Sequence, residues 1–322
     1  MTQNTVEKTF DERLNHFRQQ SRVKAGSLIV SVFGDAVLPR GGQIWLGSLI
    51  NLLRPLDVNE RLIRTTVFRL VKDEWLQTQT LGRRTDYMLT ASGQKRFEEA
   101  SSQIYALNAP NWDRRWRLVM VVGDLAAQER ERLRRAFYWQ GFGELNPACF
   151  VHPGADLGLV FDALRSDGMT NLLPSLMPLL AANPVLSQSA SDADIVKSAW
   201  NLEHMAESYT RFVARYQPIV DALRQAPHES IDEEKAFLIR TLLIHDFRRL
   251  LLRDPELPDV LLPNNWPGQE ARMLCKEIYR RLLVASEKHL NRHLLLASGE
   301  VPPASNMVAQ RFRSADPLAD LA

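Results

Sequence analysis

The sequence predicts an α+β multidomain protein, and three observations carry that prediction. Residues 57–90 read as a basic amphipathic helix followed by an extended hairpin. Residues 116–165 alternate short extended and helical patterns, and from Asp192 onward three long helical patterns dominate. The first pattern, with two helices before it, is the order of a winged helix-turn-helix. The second suggests a small ferredoxin-like α+β unit, and the third a helical domain. The expected boundaries are an arm at 1–23, the winged helix at 24–107, the middle unit at 115–187, the helical domain at 190–298 and a tail at 299–322.

Taken in order, residues 1–23 are polar with sparse apolar points at Phe10, Leu14 and Phe17, compatible with a helical arm or an untethered tail. Lys24–Phe33 (KAGSLIVSVF) is a compact apolar helix, followed by a loop through Pro39, Gly41 and Gly42. Gln43–Leu53 predicts a second helix with Ile44, Leu49 and Leu52 inward, ended by Pro55. In the third helix Ile63, Val67, Leu70 and Val71 recur at helical spacing, while Arg61, Arg64, Thr65 and Lys72 gather on the other side. Asp57 and Glu60 have capping-box spacing, with Asn59 as a competing cap.

After Trp75 the pattern becomes extended, QTQT then TDYMLT around a tip at Gly82, Arg83 and Arg84. Between Arg61 and Arg84 six basic side chains stand against Asp73 and Glu74, whereas the whole chain has 40 Lys and Arg against 38 Asp and Glu. A basic helix face can reach base edges in the major groove, and a basic tip can reach phosphates or the minor groove. Arg61, Arg64, Thr65, Arg69, Lys72, Arg83 and Arg84 are therefore the candidate contacts to duplex DNA. The bland reading of the same residues is a solvated helix and hairpin, and the concentration of charge favours DNA.

Ala91–Leu107 predicts a helix leaving the hairpin, and Asn108–Asn111 a linker. WRLVMVVG from Trp116 has the length of a buried strand. Asp124–Gln140 is helical, with Leu133, Phe137 and Tyr138 apolar, and stops at Gly141-Phe142-Gly143. Leu145–His152 is extended, Phe161–Arg165 helical and Asn171–Leu180 ambiguous. Long helices follow at Asp192–Arg224, Ile231–Leu252 and Gln269–Leu294, with a proline-rich segment at 254–268. The tail after Ser298 is poor in core formers and is expected to fray.

A content of 45% hydrophobic and 24% charged residues is that of a globular protein. No run approaches the roughly 20 apolar residues of a membrane helix, and no signal-peptide core is evident, so a cytoplasmic protein without membrane contact is expected. Cys149 and Cys275 stand far apart without a CxxC and are expected as small buried hydrophobes. The near-neutral total charge argues for local DNA contact rather than a polyanion coat.

Catalytic motifs are scarce. Gly154 and Gly158 belong to no GxGxxG, and neither GxSxG nor HExxH occurs. His245-Asp246 invites a catalytic reading, but a lone helical histidine is more often a packing residue. Asp124, ending an apolar strand, occupies a position where metal-dependent nucleases of ferredoxin-like fold hold a metal. Nuclease is the rival function, and the plainer reading of Asp124 is a helix cap. The expectation is a non-enzyme with no catalytic residues, no metal site and no cofactor.

From the helix and hairpin at 24–90, through RWRLVMVVG, to HDFRRLLLRDPELPDVLLPNNWPG at 245–268, the chain resembles the PaaX family of bacterial transcriptional repressors of phenylacetic acid catabolism. The last segment is the most specific match. Glu74 departs from the family, which tends to have glycine after the recognition helix, and this bears on the helix end and the hairpin angle. The resemblance implies a homodimer on an inverted-repeat operator, released by the effector phenylacetyl-CoA. A CoA thioester needs cations for its phosphates and an apolar slot for its acyl group. Arg114, Arg115, Trp116, Arg117, Trp139 and Trp266 are the candidates for both, each taken singly reading better as linker charge or core aromatic.

Overall fold

The computed structural model describes residues 2–19, 25–106, 108–182, 189–226 and 231–313. By contact the chain forms two compact units. One comprises Met1–Leu107, Thr210–Arg249 and Gln269–Ala322, the other Asn108–Tyr209 and Leu250–Gly268. The stretch expected as one helical domain is thus shared between them.

In the first unit, α1 (Thr2–Arg18) buries Val6, Phe10, Leu14 and Phe17, spaced three or four residues apart along one face. Arg13 on the same helix pairs with Asp246 at 2.8 Å, so these residues belong to the core and the untethered-tail alternative is set aside. Next come α2 (Ala25–Val32), a π-type turn at Phe33–Val37 and a short turn at Leu38–Arg40. The expected helix at Gln43–Leu53 is strand first and helix second: β1 (Gln43–Trp45), then α3 (Leu46–Leu53). β1 pairs along β3, which satisfies its backbone outside a helix, and Gln43 donates to the buried Asp86 at 2.7 Å.

In α4 (Glu60–Lys72) Asn59 is the cap, accepting from the Arg61 amide at 2.8 Å. Asp57 instead closes the preceding turn in the left-handed region (φ 54°), so its expected capping role is corrected. β2 (Leu76–Leu81) and β3 (Arg84–Leu89) form the hairpin, and α5 (Ala91–Ile104) follows under a Thr90 cap. The sheet is antiparallel in the order β1-β3-β2, with Tyr87 opposite both Ile44 and Thr78. It is pinned from behind by the segment after the last long helix, where the Ala297 amide donates to Asp86 and the Trp45 amide to the Leu295 carbonyl.

The second unit runs β4 (Arg115–Val121), α6 (Ala127–Trp139), β5 (Gly143–Asn146), β6 (Cys149–His152), α7 (Leu157–Ser166), β7 (Leu176–Ala182) and α8 (Asp192–Ala199). Its sheet is antiparallel in the order β5-β6-β4-β7, the βαββαβ arrangement of a ferredoxin-like unit. One face packs Val119 and Phe150 against Leu133, Phe137, Val160 and Leu164 of the helices. The other face packs Trp116 and Val151 against Val196, Leu257 and Leu261. Of the three apolar residues expected along α6, Leu133 and Phe137 are buried and Tyr138 is exposed.

The expected helix Asp192–Arg224 is broken. Trp200 is extended and donates its indole N–H to the Gly141 carbonyl at 3.1 Å, after which α9 (Leu202–Gln225) begins. α10 (Glu233–Leu251), α11 (Pro267–His293) and the short α12 (Met307–Gln310) follow among the described residues.

At the centre of the first unit the buried Asp35 carboxylate accepts from Arg240 (2.8 Å), Arg311 (2.9 Å), Tyr105 (2.6 Å) and Tyr279 (3.1 Å). Phe312 packs between the Tyr105 and Tyr279 rings, so at 311–312 the expected fraying is corrected. Apolar surface supplied by the tail completes the core there.

Candidate functional site

On α4 the buried side chains are Ile63, Thr66, Val67 and Leu70; Val71, expected inward, is half-buried. The opposite face exposes Arg61, Arg64, Thr65, Phe68 and Lys72. Arg61 and Lys72 have no side-chain partner among the described residues. Arg64 pairs with Glu60 at 2.7 Å, both more than half exposed, and Thr65 back-bonds to the Arg61 carbonyl. Such an exposed pair is worth little and is readily exchanged for a stronger anion. Arg69 leaves this face, its guanidinium lying against Gly26 of α2. Phe68 escaped the sequence reading. Its position four residues after Arg64 was the available signal.

The helix ends in a Schellman motif. The Trp75 amide donates to the Leu70 carbonyl at 2.9 Å, the Glu74 amide to Val71 at 3.1 Å, and Glu74 takes φ 59°. Glu74 thus adopts the conformation for which glycine is best suited. Its carbonyl accepts from Thr90 Oγ1 at 2.7 Å, which ties the base of the hairpin to the helix end. At the tip Gly82 turns with φ 59° and Arg83 is exposed. Arg84 packs its guanidinium 4.6 Å from the Trp45 ring centre and touches the Ala297 carbonyl. Both tip arginines are exposed, and they differ in that Arg84 is stacked on the fold.

In the second unit the six effector candidates do not converge. Trp116 is core, 2% exposed, with its indole N–H on Asp192 at 2.8 Å. Arg117 is braced by Asp113 at 2.6 Å and by the Pro153 carbonyl. Trp266 packs edge-on to Tyr209, and Arg115 is exposed. Arg114, with φ 60°, lines a cleft of about 1020 Å³ with Trp112, Lys197, Leu202, Leu261 and Pro263. Trp139 lines a second cavity of about 360 Å³ with Arg134, Trp200, His204 and Arg253. Trp112 and Lys197 were not singled out from sequence, because their partners lie some 80 residues apart along the chain.

Asp124 is exposed and does not cap α6. The cap position is Ala126, whose amide donates to Glu129, so that expectation is corrected. No group of three His, Cys, Asp or Glu suited to a metal occurs among the described residues. His245 is buried beside Ser31 at 3.3 Å, and burial pushes it down to about 4, leaving it a neutral packing residue. Cys275 is buried, and Cys149 only partly so. No helix among the described residues is long and apolar enough to cross a membrane.

Three sequence families match in succession: PaaX-like protein over residues 24–93, PaaX protein central Cas2-like domain over 109–175, and PaaX-like protein C-terminal domain over 200–292. The transcriptional repressor PaaX of Escherichia coli K12 is 35% identical over 302 residues, 94% of each chain. The chain belongs to the PaaX family. The PaaX-like match contains α4 and the hairpin, and the Cas2-like match covers most of the ferredoxin-like sheet. Among solved structures, an uncharacterized protein of Mycobacterium tuberculosis covers 75% of this chain and 89% of its own at 20% identity and TM-score 0.49.

Proposed function

We propose that this PaaX-family protein is a cytoplasmic transcriptional repressor of phenylacetic acid catabolism genes. It grips duplex DNA through a winged helix-turn-helix at residues 24–107 and is released by phenylacetyl-CoA. The observation that carries the reading is the outward face of α4. Arg61, Arg64 and Lys72 stand clear of the core there, with Arg83 exposed at the hairpin tip beyond. Cations on a helix of that kind neutralise phosphates or pair with guanine edges, and a basic tip adds contacts that carry no sequence information.

For the effector, the second unit offers what a small DNA-binding domain lacks. A cleft of about 1020 Å³ is large enough for a CoA thioester, with Arg114 and Lys197 for phosphate and Trp112, Leu202 and Leu261 for the acyl end. A homodimer on an inverted repeat fits a protein that reads one half-site with one helix.

The test is a gel shift of the full chain on duplexes enriched from a random pool, with and without phenylacetyl-CoA or free phenylacetate. Enrichment of an inverted repeat and its release by the thioester alone is the expected result. Failure to enrich any duplex removes the DNA reading, and unchanged affinity at saturating thioester removes the switch.

A further inference from the structure

Phe68 stands 70% exposed on the outward face of α4. At about 100° per residue, Ile63, Thr66, Val67 and Leu70 centre on one side of the helix, and Arg61, Phe68 and Lys72 fall within about 30° of the opposite line. No aromatic ring or guanidinium stacks on Phe68 among the described residues. A single exposed apolar side chain is ordinary, but this one stands in the middle of a basic helix face with no ring stacked on it, which places it where a partner of that face would meet it.

We propose that Phe68 reads the 5-methyl group of a thymine in the major groove. The inference rests on the DNA-facing reading of α4 and deepens it. The edge of a base pair in that groove carries hydrogen-bonding atoms and, on thymine alone, an apolar methyl. Arg61, Arg64 and Lys72 can be satisfied by phosphates or guanine, whereas a phenyl ring can donate or accept no conventional hydrogen bond at a base edge, and the methyl is the apolar contact the groove offers it. A second copy meeting this face with its own α4 fits poorly. The contact would bury three cations on each side, with Glu60 the one acidic side chain within either helix to answer them. DNA supplies the countercharge and the methyl together.

The experiment uses the full chain and a half-site enriched from random duplexes, replacing each thymine in turn by deoxyuridine. This deletes the methyl and keeps the pairing and the O4 acceptor. One thymine per half-site is expected to weaken binding about four-fold on loss of its methyl. Phe68→Ala is expected to fold normally, to bind more weakly and to bind the thymine and deoxyuridine duplexes equally. Phe68→Leu should keep part of the preference. A wild-type protein indifferent to deoxyuridine everywhere, or a Phe68→Ala variant with an unchanged thymine preference, overturns the proposal while leaving DNA binding intact. A Phe68→Ala variant that changes sedimentation but not that preference gives the face to a protein contact, and also overturns it. If no duplex is enriched, the reading of α4 beneath the proposal fails instead.

Discussion

Replacing Glu74 by glycine should stabilise the protein, and the helix end shows by how much. Glu74 occupies the left-handed position of the Schellman motif that ends α4, with φ 59°. That conformation costs an L-residue about 1–2 kcal/mol, because Cβ crowds the following carbonyl. Glycine removes this cost but adds about 0.5–1 kcal/mol of unfolded-chain entropy, leaving a net gain of about 0–1.5 kcal/mol, centred on about 0.7 kcal/mol. The motif itself survives, since the bonds at Leu70, Val71, Thr90 and Ser92 all use backbone atoms of residues 74 and 75. The Glu74 side chain is exposed, so its removal exposes no cavity. For a unit of roughly 200 residues the gain corresponds to a rise of about 2 °C in melting temperature, readable by calorimetry. Glu74→Gln separates backbone from charge, because it removes the carboxylate and keeps the strained φ, and it should melt with the parent. A glycine variant no more stable than the glutamine variant would refute the argument, showing that the left-handed cost is offset elsewhere.

Arg64→Ala should weaken binding to an enriched duplex by about 1–3 kcal/mol in a gel shift. It should leave the melting temperature within error, because its ion pair with Glu60 is exposed. At the tip, Arg83→Ala should lower the slope of log affinity against log salt by about 1 without touching stability. Arg84→Ala should cost about 0.5–1 kcal/mol of stability, because its guanidinium stacks on Trp45; a parental salt slope for Arg83→Ala would take the tip off the DNA. Asp35→Asn should cost about 3–5 kcal/mol in urea unfolding at pH 7, since Arg240 and Arg311 lose their shared buried carboxylate. Burial alone would raise the Asp35 carboxyl, and Arg240 and Arg311 more than offset it, holding it below the ordinary value. Its contribution is therefore complete above about pH 4 and lost as pH falls through the depressed folded value, so the difference between wild type and variant should shrink only in acid.

How much of this was legible in the sequence depended on where each element found its partners. α4 declared itself because its periodicity is local: Ile63, Val67 and Leu70 mark a core face whatever they pack against. In the second unit the first strand and its helix were readable for the same reason, as was the hairpin at Gly82, whereas Leu145–His152 reads as one extended run where the structure has β5 and β6, and β7 lies mostly in a stretch that reads ambiguously. What escaped was set at long range. Gln43–Trp45 carries the apolar residues of a helix and becomes a strand because β3, some 40 residues on, offers it a ladder. The break at Trp200 follows from an indole bond to Gly141, invisible in a run that reads as one helix. Arg311 and Phe312 look like tail residues until Asp35, Tyr105 and Tyr279 are brought to them from three distant segments.

The candidate site divides along the same line. The basic residues of α4 follow from helical geometry alone, whereas the partner of Arg84 is a tryptophan on another strand, and the cleft holding Arg114 and Lys197 is assembled from three stretches of chain. Phe68 belongs to neither case. Its place opposite Ile63, Val67 and Leu70 follows from the same helical geometry, and what the structure adds is that no ring or guanidinium of the described residues stacks on it. The inference from Phe68 to thymine rests on that exposure even though every residue it uses lies within one helix.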